Sequence, residues 1–174
     1  MIFVDNSNIF LGAKDLGYKV DYQKLARFLT KEALEEYDLM RVFLYCTINR
    51  EQSPERVKFQ EDLYKHFNSF IKFDVATFDL KVIRDKKTGD IVDKYEKGVD
   101  VALVTDLLLQ TKNNSFDVAI VCAGDNDFYR AVEGVKDAGR EIYVASLDHS
   151  CSENLKGCSL GYISLTKNLD KIRI

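Results

Sequence analysis

A short apolar run followed at once by two carboxylates constrains this chain more than any other stretch. Val118 to Cys122 has the length and the β-branched content of a strand that is buried on both faces. Gly124 ends the run, Asp125 and Asp127 follow it, and apolar residues then recur at helical spacing from Phe128 to Ala138. The stretch predicts a strand, a tight turn and a helix. In open α/β sheets, ligands bind beyond the carboxyl ends of the parallel strands, so both acids lie where a site is expected.

The same alternation of strand-like and helix-like patterns extends along most of the chain. Further strand-like runs are Ile2 to Val4, Arg41 to Cys46, the segment from Phe73, Glu141 to Ser146 and Tyr162 to Leu165. Strands that alternate with helices predict an α/β fold with a mainly parallel sheet, right-handed crossovers and helices on both faces. A chain of 174 residues without repeats or linkers is expected to form a single domain over residues 1–174.

Composition and charge exclude several classes of protein. The net charge of −3 means that the chain as a whole does not attract nucleic acid, so a polyanion must meet a local basic patch or a bound cation. No apolar stretch approaches the roughly 20 residues that span a bilayer. The start, Met1 to Asp5, lacks the basic region of a signal peptide. We therefore expect a cytoplasmic protein that does not contact a membrane.

Four cysteines and two histidines give little support to a structural zinc site, because no Cys-x-x-Cys pair is present. Cys46 and Cys122 end strand-like runs and are predicted to be small buried hydrophobic residues. Cys151 and Cys158 lie in a polar segment and are predicted to be exposed. The sequence leaves open whether they form a disulfide, which is unusual in a reducing compartment.

Two short runs around a glycine-containing turn interrupt the alternation between Leu80 and Tyr95 and predict a β-hairpin. Its basic residues are nearly balanced by acids, which favours a solvated surface over a binding arm. The basic residues are Lys81, Arg84, Lys86, Lys87, Lys94 and Lys97, and the acids are Asp79, Asp85, Asp90, Asp93 and Glu96. The hairpin fits a contact with substrate or with a second subunit, and the sequence does not decide whether the chain forms a homodimer.

Other acids follow or begin predicted elements, and each has an ordinary structural explanation. Asp5 follows the first strand, and the segment from Asp5 to Asn8 is typical of a helix N-cap. Asp100 falls in the first turn of an apolar helix, where the helix dipole alone favours a carboxylate. Asp106 lies about 240° further around that helix, so it points away from Asp100 and is expected to make a polar contact within the fold.

In a parallel sheet, the carboxyl ends of the strands bring Asp5, Asp125 and Asp127 to one edge, and the helix that carries Asp100 can begin there. Clustered carboxylates raise each other's pKa unless a positive charge lies between them. Mg²⁺ or Mn²⁺ is the usual partner of such oxygen donors. Such an ion lowers the pKa of a bound water and neutralises charge on a phosphate. The acids therefore favour metal-dependent phosphate chemistry, with helix capping as the alternative.

Three motifs together resemble the NYN domain of the PIN-like nuclease superfamily, most of all its bacterial LabA-like branch. They are Val4-Asp-Asn-Ser-Asn, then Lys97-Gly-Val-Asp-Val-Ala-Leu with Asp106 after it, and Gly124-Asp-Asn-Asp-Phe with Gly139 after it. The resemblance extends from about Ile2 to Ser146. It implies a Rossmann-like, PIN-like sheet of strand order 3-2-1-4-5 and a metal-dependent ribonuclease activity.

The resemblance also implies roles for individual residues. Asp5, Asp100 and Asp125 match the metal-binding acids of the family, and Asp127 is a further acid that binds metal or orients the attacking water. Substrate contacts are implied for three more residues, Asn6, Asn8 and Lys97. Asn6 and Asn8 are polar partners of Asp5 or of the substrate, and Lys97 is a phosphate contact.

Two positions depart from the family pattern. Asn6 stands where many members have glycine, and Ala123 precedes Gly124 where a serine or threonine is common. Neither change removes an acid, so the implied metal site is retained, but a missing hydroxyl can alter the support of the ligands and hence the rate.

The leading hypothesis from the sequence is an endoribonuclease that uses Mg²⁺ or Mn²⁺ to activate water and cleaves single-stranded or structured RNA. The alternative is a catalytically weak module that keeps the fold and regulates by binding RNA or protein, which the acidic pI of about 5.5 fits. A nucleotide-binding Rossmann protein is disfavoured, because no Gly-x-Gly-x-x-Gly follows the first strand. The sequence does not choose RNA over DNA or set the number of metal ions.

Overall fold

Seven strands form one sheet in the computed structural model, which describes residues 1–33 and 38–174. The strands are β1 (Ile2–Asp5), β2 (Val42–Ile48), β3 (Phe73–Arg84), β4 (Ile91–Glu96), β5 (Val118–Cys122), β6 (Glu141–Ser146) and β7 (Gly161–Ser164). Their order across the sheet is β4-β3-β2-β1-β5-β6-β7. All neighbouring pairs are parallel except β3 and β4, which are antiparallel.

This topology confirms the predicted α/β fold, and the predicted strand order is present in the central five strands of a larger sheet. When only the parallel strands are counted, β3-β2-β1-β5-β6 is the predicted 3-2-1-4-5 arrangement. The last strand, β7, extends this series at one edge, and the hairpin strand β4 adds an antiparallel strand at the other. The sheet reverses its order between β1 and β5, so the carboxyl ends of these two neighbouring strands define the crevice in which ligands bind in such folds.

Seven α-helices lie between or after the strands in the described part of the chain. They are α1 (Asn6–Asp15), α2 (Tyr22–Phe28), α3 (Pro54–Asn68), α4 (Val99–Lys112), α5 (Tyr129–Asp137), α6 (Glu153–Cys158) and α7 (Leu169–Ile172). A π-helical turn, Leu29–Ala33, continues α2, and a 3₁₀ turn, Asn126–Phe128, leads into α5. Within residues 1–33 and 38–174, no helix combines the length and the apolar character that crossing a membrane requires.

The helices cover both faces of the sheet, and two apolar layers result. Alternate residues of β1 contribute to opposite layers, because successive side chains of a strand point to opposite faces. Val4 packs in the layer that contains Ile9 of α1, whereas Phe3 packs with Leu103 of α4 and Val132 of α5. All five residues of β5 are buried, as the continuous apolar run predicts for a strand covered on both sides.

The predicted hairpin is present, and it is built as a continuation of a core strand. The first part of β3 pairs with β2 from Phe73 to Asp79, and the second part pairs with β4 from Leu80 onward. Strand β4 is exposed along Ile91 to Tyr95 and becomes half-buried only at Glu96. The hairpin therefore projects from the sheet and returns to it at Glu96.

The burial of the four cysteines agrees with the sequence prediction only in part. Cys46 and Cys122 are buried, as predicted, and all four thiols are free. The prediction that Cys158 is exposed is wrong, because α6 turns Cys158 and Leu155 together into the layer beside α5. Its Sγ lies 3.2 Å from the carbonyl oxygen of Leu155. Cys151 is partly buried.

Candidate functional site

The turn between β5 and α5 presents two carboxylates at the carboxyl edge of the sheet. Asp125 caps the 3₁₀ turn, since its Oδ1 accepts a hydrogen bond of 3.0 Å from the backbone N–H of Asp127. Both acids are exposed to solvent, as expected for ligands rather than core residues. Gly124, just before them, accepts a hydrogen bond at its carbonyl oxygen from the N–H of Ser152, 2.9 Å away. The segment after β6 thus lies directly against this turn.

Gly124 is required by that close approach. A Cβ atom at this position would overlap the carbonyl oxygen of Ser150 and would lie 3.0 Å from Cα of Cys151. We expect Gly124→Ala to lower the free energy of unfolding by roughly 2–4 kcal/mol, because backbone atoms have to move. Chemical denaturation measures this change.

Gly157 provides the matched control for that substitution. It lies within α6, and nothing would come within 4 Å of a Cβ there. Gly157→Ala is expected to stabilise the protein by about 0.5–1 kcal/mol, since alanine favours the helix. Equal effects of the two substitutions would contradict the packing described for Gly124.

Asp5 is the buried acid of the site. Only 6% of its surface is exposed, and its Oδ1 accepts a 3.1 Å hydrogen bond from the N–H of Asn8, which confirms the predicted N-cap of α1. Burial raises the pKa of the Asp5 carboxyl to about 7. The amide of Asn8 opposes the rise in pKa, while the negative charges of Glu96 and Asp100 add to it. Asp5 is therefore partly protonated at neutral pH when no cation is bound.

The two asparagines after Asp5 have different surroundings. Asn6 is buried, and its Oδ1 accepts a hydrogen bond from the hydroxyl of Tyr22. Asn8 has a buried Oδ1 with no hydrogen-bond partner in the described part of the chain. A buried amide oxygen without a partner is an acceptor left free for another group.

Asp100 reaches the same edge from the start of α4. Gly98 precedes this helix with φ of +95°, a conformation that favours glycine, and Asp100 follows in the first turn. Partial burial raises the pKa of Asp100, and the charges of Asp125, Glu96 and Asp127 raise it further. Asp100 therefore interacts electrostatically with Asp5 from the first motif and with Asp125 and Asp127 from the third. Lys97, the predicted phosphate contact, is exposed in the turn before α4.

Asp106 lies away from this group, as its helical position predicts. Its Oδ2 accepts a 2.8 Å hydrogen bond from the hydroxyl of Tyr45, a residue with 1% of its surface exposed. The contact satisfies a buried hydroxyl between β2 and α4, which confirms the prediction of a polar contact within the fold.

Glu96 is a member of the acidic edge that the sequence did not reveal. Its carboxylate accepts hydrogen bonds from the hydroxyl of Ser7 and, at 2.7 Å, from that of Thr47. In the sequence Glu96 is one of several hairpin charges that balance each other. Its position, four residues before Asp100 and at the end of a strand, was the available signal.

The ligand atoms at this edge suit a hard cation by their chemistry, whereas the described acids are not close enough together to form a ready-made metal site. In residues 1–33 and 38–174, no lysine or arginine forms an ion pair with Asp5, Asp100 or Asp125. Carboxylates and an amide oxygen are the ligands that Mg²⁺ and Mn²⁺ prefer. The same described residues contain no group of three or more His, Cys, Asp or Glu side chains close enough together to hold a metal ion.

Known proteins share both the sequence pattern and the fold. The NYN domain family model matches residues 1–166. The low amplitude and bright protein LabA of Synechococcus elongatus is 24% identical over 166 residues, which cover 94% of this chain and 82% of LabA. The crystal structure of a protein of unknown function from Vibrio parahaemolyticus matches with a TM-score of 0.67 and 18% identity, over 99% of this chain and 94% of that one.

These matches differ in what they establish. At 18% identity, the structural match shows a common fold alone. The family model covers nearly the whole chain and includes all three acidic motifs. The chain therefore belongs to the NYN domain family, a nuclease-like family with the PIN fold.

Proposed function

We propose that this protein is a ribonuclease that uses Mg²⁺ or Mn²⁺ to hydrolyse RNA phosphodiester bonds. The observation that carries the proposal is that Asp100 interacts electrostatically with both Asp5 and Asp125 in a member of a nuclease-like family. Burial raises the pKa of Asp5 and of Asp100, and repulsion adds to it, from Asp100 at Asp5 and from Asp125 at Asp100. A cation between these carboxylates would remove that repulsion. An acidic chain that acts on a polyanion also needs a positive charge at the site.

Each residue would have a distinct part in this reaction. Asp5, Asp100 and Asp125 would hold the ion, which when bound lowers the pKa of a water and neutralises charge on the phosphate. Asp127, exposed on the same turn, would bind the ion or orient the attacking water. Lys97 would contact a phosphate of the RNA.

The two asparagines support different parts of the site. The amide oxygen of Asn6 is already bound by Tyr22, so Asn6 would hold the turn that carries Asp5. The free Oδ1 of Asn8 would accept a hydrogen bond from the substrate or from a water at the site. Both asparagines would thus act next to the buried acid.

Dependence on a divalent cation is the first test of this function. We expect the protein to cleave labelled single-stranded or structured RNA with Mn²⁺ or Mg²⁺ and to lose all cleavage in EDTA. The same assay on DNA of equal sequence shows which sugar the site accepts. Cleavage that persists in EDTA would contradict the metal mechanism. Binding of RNA without turnover in any metal would replace it with a regulatory binding module.

A further inference from the structure

Glu96 lies where the hairpin returns to the sheet, and its side chain joins three separate segments. The Ser7 hydroxyl, at the start of α1, and the Thr47 hydroxyl, near the end of β2, both donate to Oε1 of Glu96. The two hydroxyl oxygens are also within 3.3 Å of each other. We refer to Ser7, Thr47 and Glu96 as the hydroxyl–carboxylate link.

This link connects parts of the site that the sheet does not connect directly. Strands β1 and β4 are separated by β2 and β3, so the sheet joins them only through two intervening strands and not by a ladder of their own. Ser7 follows Asp5 by two residues, and Glu96 precedes Asp100 by four. The link therefore joins the segment that carries the buried acid to the segment that carries the helical acid.

The chemistry of the link makes it stiff. A carboxylate accepts hydroxyl hydrogen bonds roughly twice as strongly as a neutral oxygen does. No lysine or arginine in the described part of the chain forms an ion pair with Glu96, so the two hydroxyls are its partners. The negative charge of Glu96 also acts on both Asp5 and Asp100, which places Glu96 near the two acids.

We propose that Glu96 is a positioning residue, which through Ser7 and Thr47 holds the start of α4 at a fixed distance from Asp5. The proposal rests on the ribonuclease function given above. Glu96 does not touch the substrate in this role. It acts on the reaction by fixing the segment that carries Asp100 relative to the segment that carries Asp5.

Two substitutions separate positioning from direct participation. Glu96→Ala removes the acceptor, and we expect kcat to fall about ten- to hundred-fold, as for residues that orient metal ligands, with KM within about two-fold. Glu96→Gln keeps an acceptor for both hydroxyls and is expected to recover most of kcat. Asp93→Ala removes an exposed acid from the same strand and is the matched control, with activity unchanged.

Two further measurements do not depend on cleavage. In hydrogen exchange, the Ala102 amide, which donates to the Gly98 carbonyl, should exchange about ten-fold faster in Glu96→Ala, because a strong hydrogen bond that anchors the start of α4 is lost. Mn²⁺ affinity, measured by calorimetry without RNA, should fall about ten-fold or more. Removing both donors, with Ser7→Ala and Thr47→Val, should reproduce the effects of Glu96→Ala.

The outcomes distinguish this proposal from the proposed function. If the unaltered protein cleaves RNA and Glu96→Ala does so equally well, the ribonuclease stands and the positioning role is wrong. If Glu96→Ala lowers kcat but Ser7→Ala with Thr47→Val does not, Glu96 acts without the link, and the positioning role is again wrong. If the unaltered protein cleaves nothing, the ribonuclease is wrong, and the exchange of Ala102 still shows whether Glu96 holds α4.

Discussion

Replacing Asp125 by asparagine is expected to abolish RNA cleavage while the protein stays folded. Asparagine caps a helical turn about as well as aspartate, so the hydrogen bond from the N–H of Asp127 is retained. The side chain is exposed, and the free energy of unfolding should change by no more than about 0.5 kcal/mol. The substitution removes one anionic ligand. We expect kcat/KM to fall by ~10³-fold or more, beyond the 10–100-fold typical of residues that only support a ligand.

Asp137→Asn is the matched control for this experiment. Asp137 is an exposed acid at the end of α5, the helix that begins just after Asp125, and its neutralisation changes the net charge equally. Initial rates on labelled RNA, together with thermal unfolding, compare both variants with the unaltered protein. Full cleavage by the Asp125→Asn variant, or equal losses in the two variants, would rule out Asp125 as a metal ligand.

Much of the acidic edge follows from local signals in the sequence. Asp5 and Asp125 each follow an apolar run, and a buried run of that length places its next residue at the end of a strand. Asp100 stands at the start of an apolar helix, and the sequence pattern predicts that helix as well. Because β1 and β5 are parallel neighbours, their carboxyl ends lie side by side, and the segments that carry the two acids begin at the same edge of the sheet.

The residues that were missed or misread depend on contacts between distant parts of the chain. Glu96 reaches the site only because β4 pairs with the outer part of β3 in one register, which places Leu80 opposite Glu96. That register shifts at a bulge between Ile83 and Arg84, which no residue pattern displays. Cys158 is buried because its short helix docks against α5. The polar residues around Cys158 in the sequence do not indicate that this helix packs against α5.

In metal-free protein, Asp5→Asn should stabilise the fold by an amount that grows with pH. The pKa of Asp5 is about 7 in the folded state, chiefly because the carboxyl is buried, against an ordinary value of 3.8. Between these values the unfolded chain releases its proton first, so rising pH favours unfolding. The contribution of protonated Asp5 to the free energy of unfolding is fully present below about pH 4 and is lost as pH rises through about 7.

Asparagine removes this dependence and keeps the acceptor for the Asn8 amide. The difference in the free energy of unfolding between Asp5→Asn and the unaltered protein should therefore be small at pH 4. It should increase up to about pH 7 and level off above it, at no more than about 4 kcal/mol. Denaturant titrations in EDTA from pH 4 to pH 8 measure it, and Asp137→Asn should show no such trend.

A difference that stays constant with pH would show that Asp5 is ionised over the whole range in the folded protein. Burial of the charge would then be offset in the folded state by a partner other than a metal. A difference that grows with pH and disappears on adding Mn²⁺ is the expected result if Asp5 is a ligand, because a bound cation favours the charged carboxylate. In that case Asp5 lowers the free energy of unfolding of the metal-free protein above pH 4, and binding of the cation restores it.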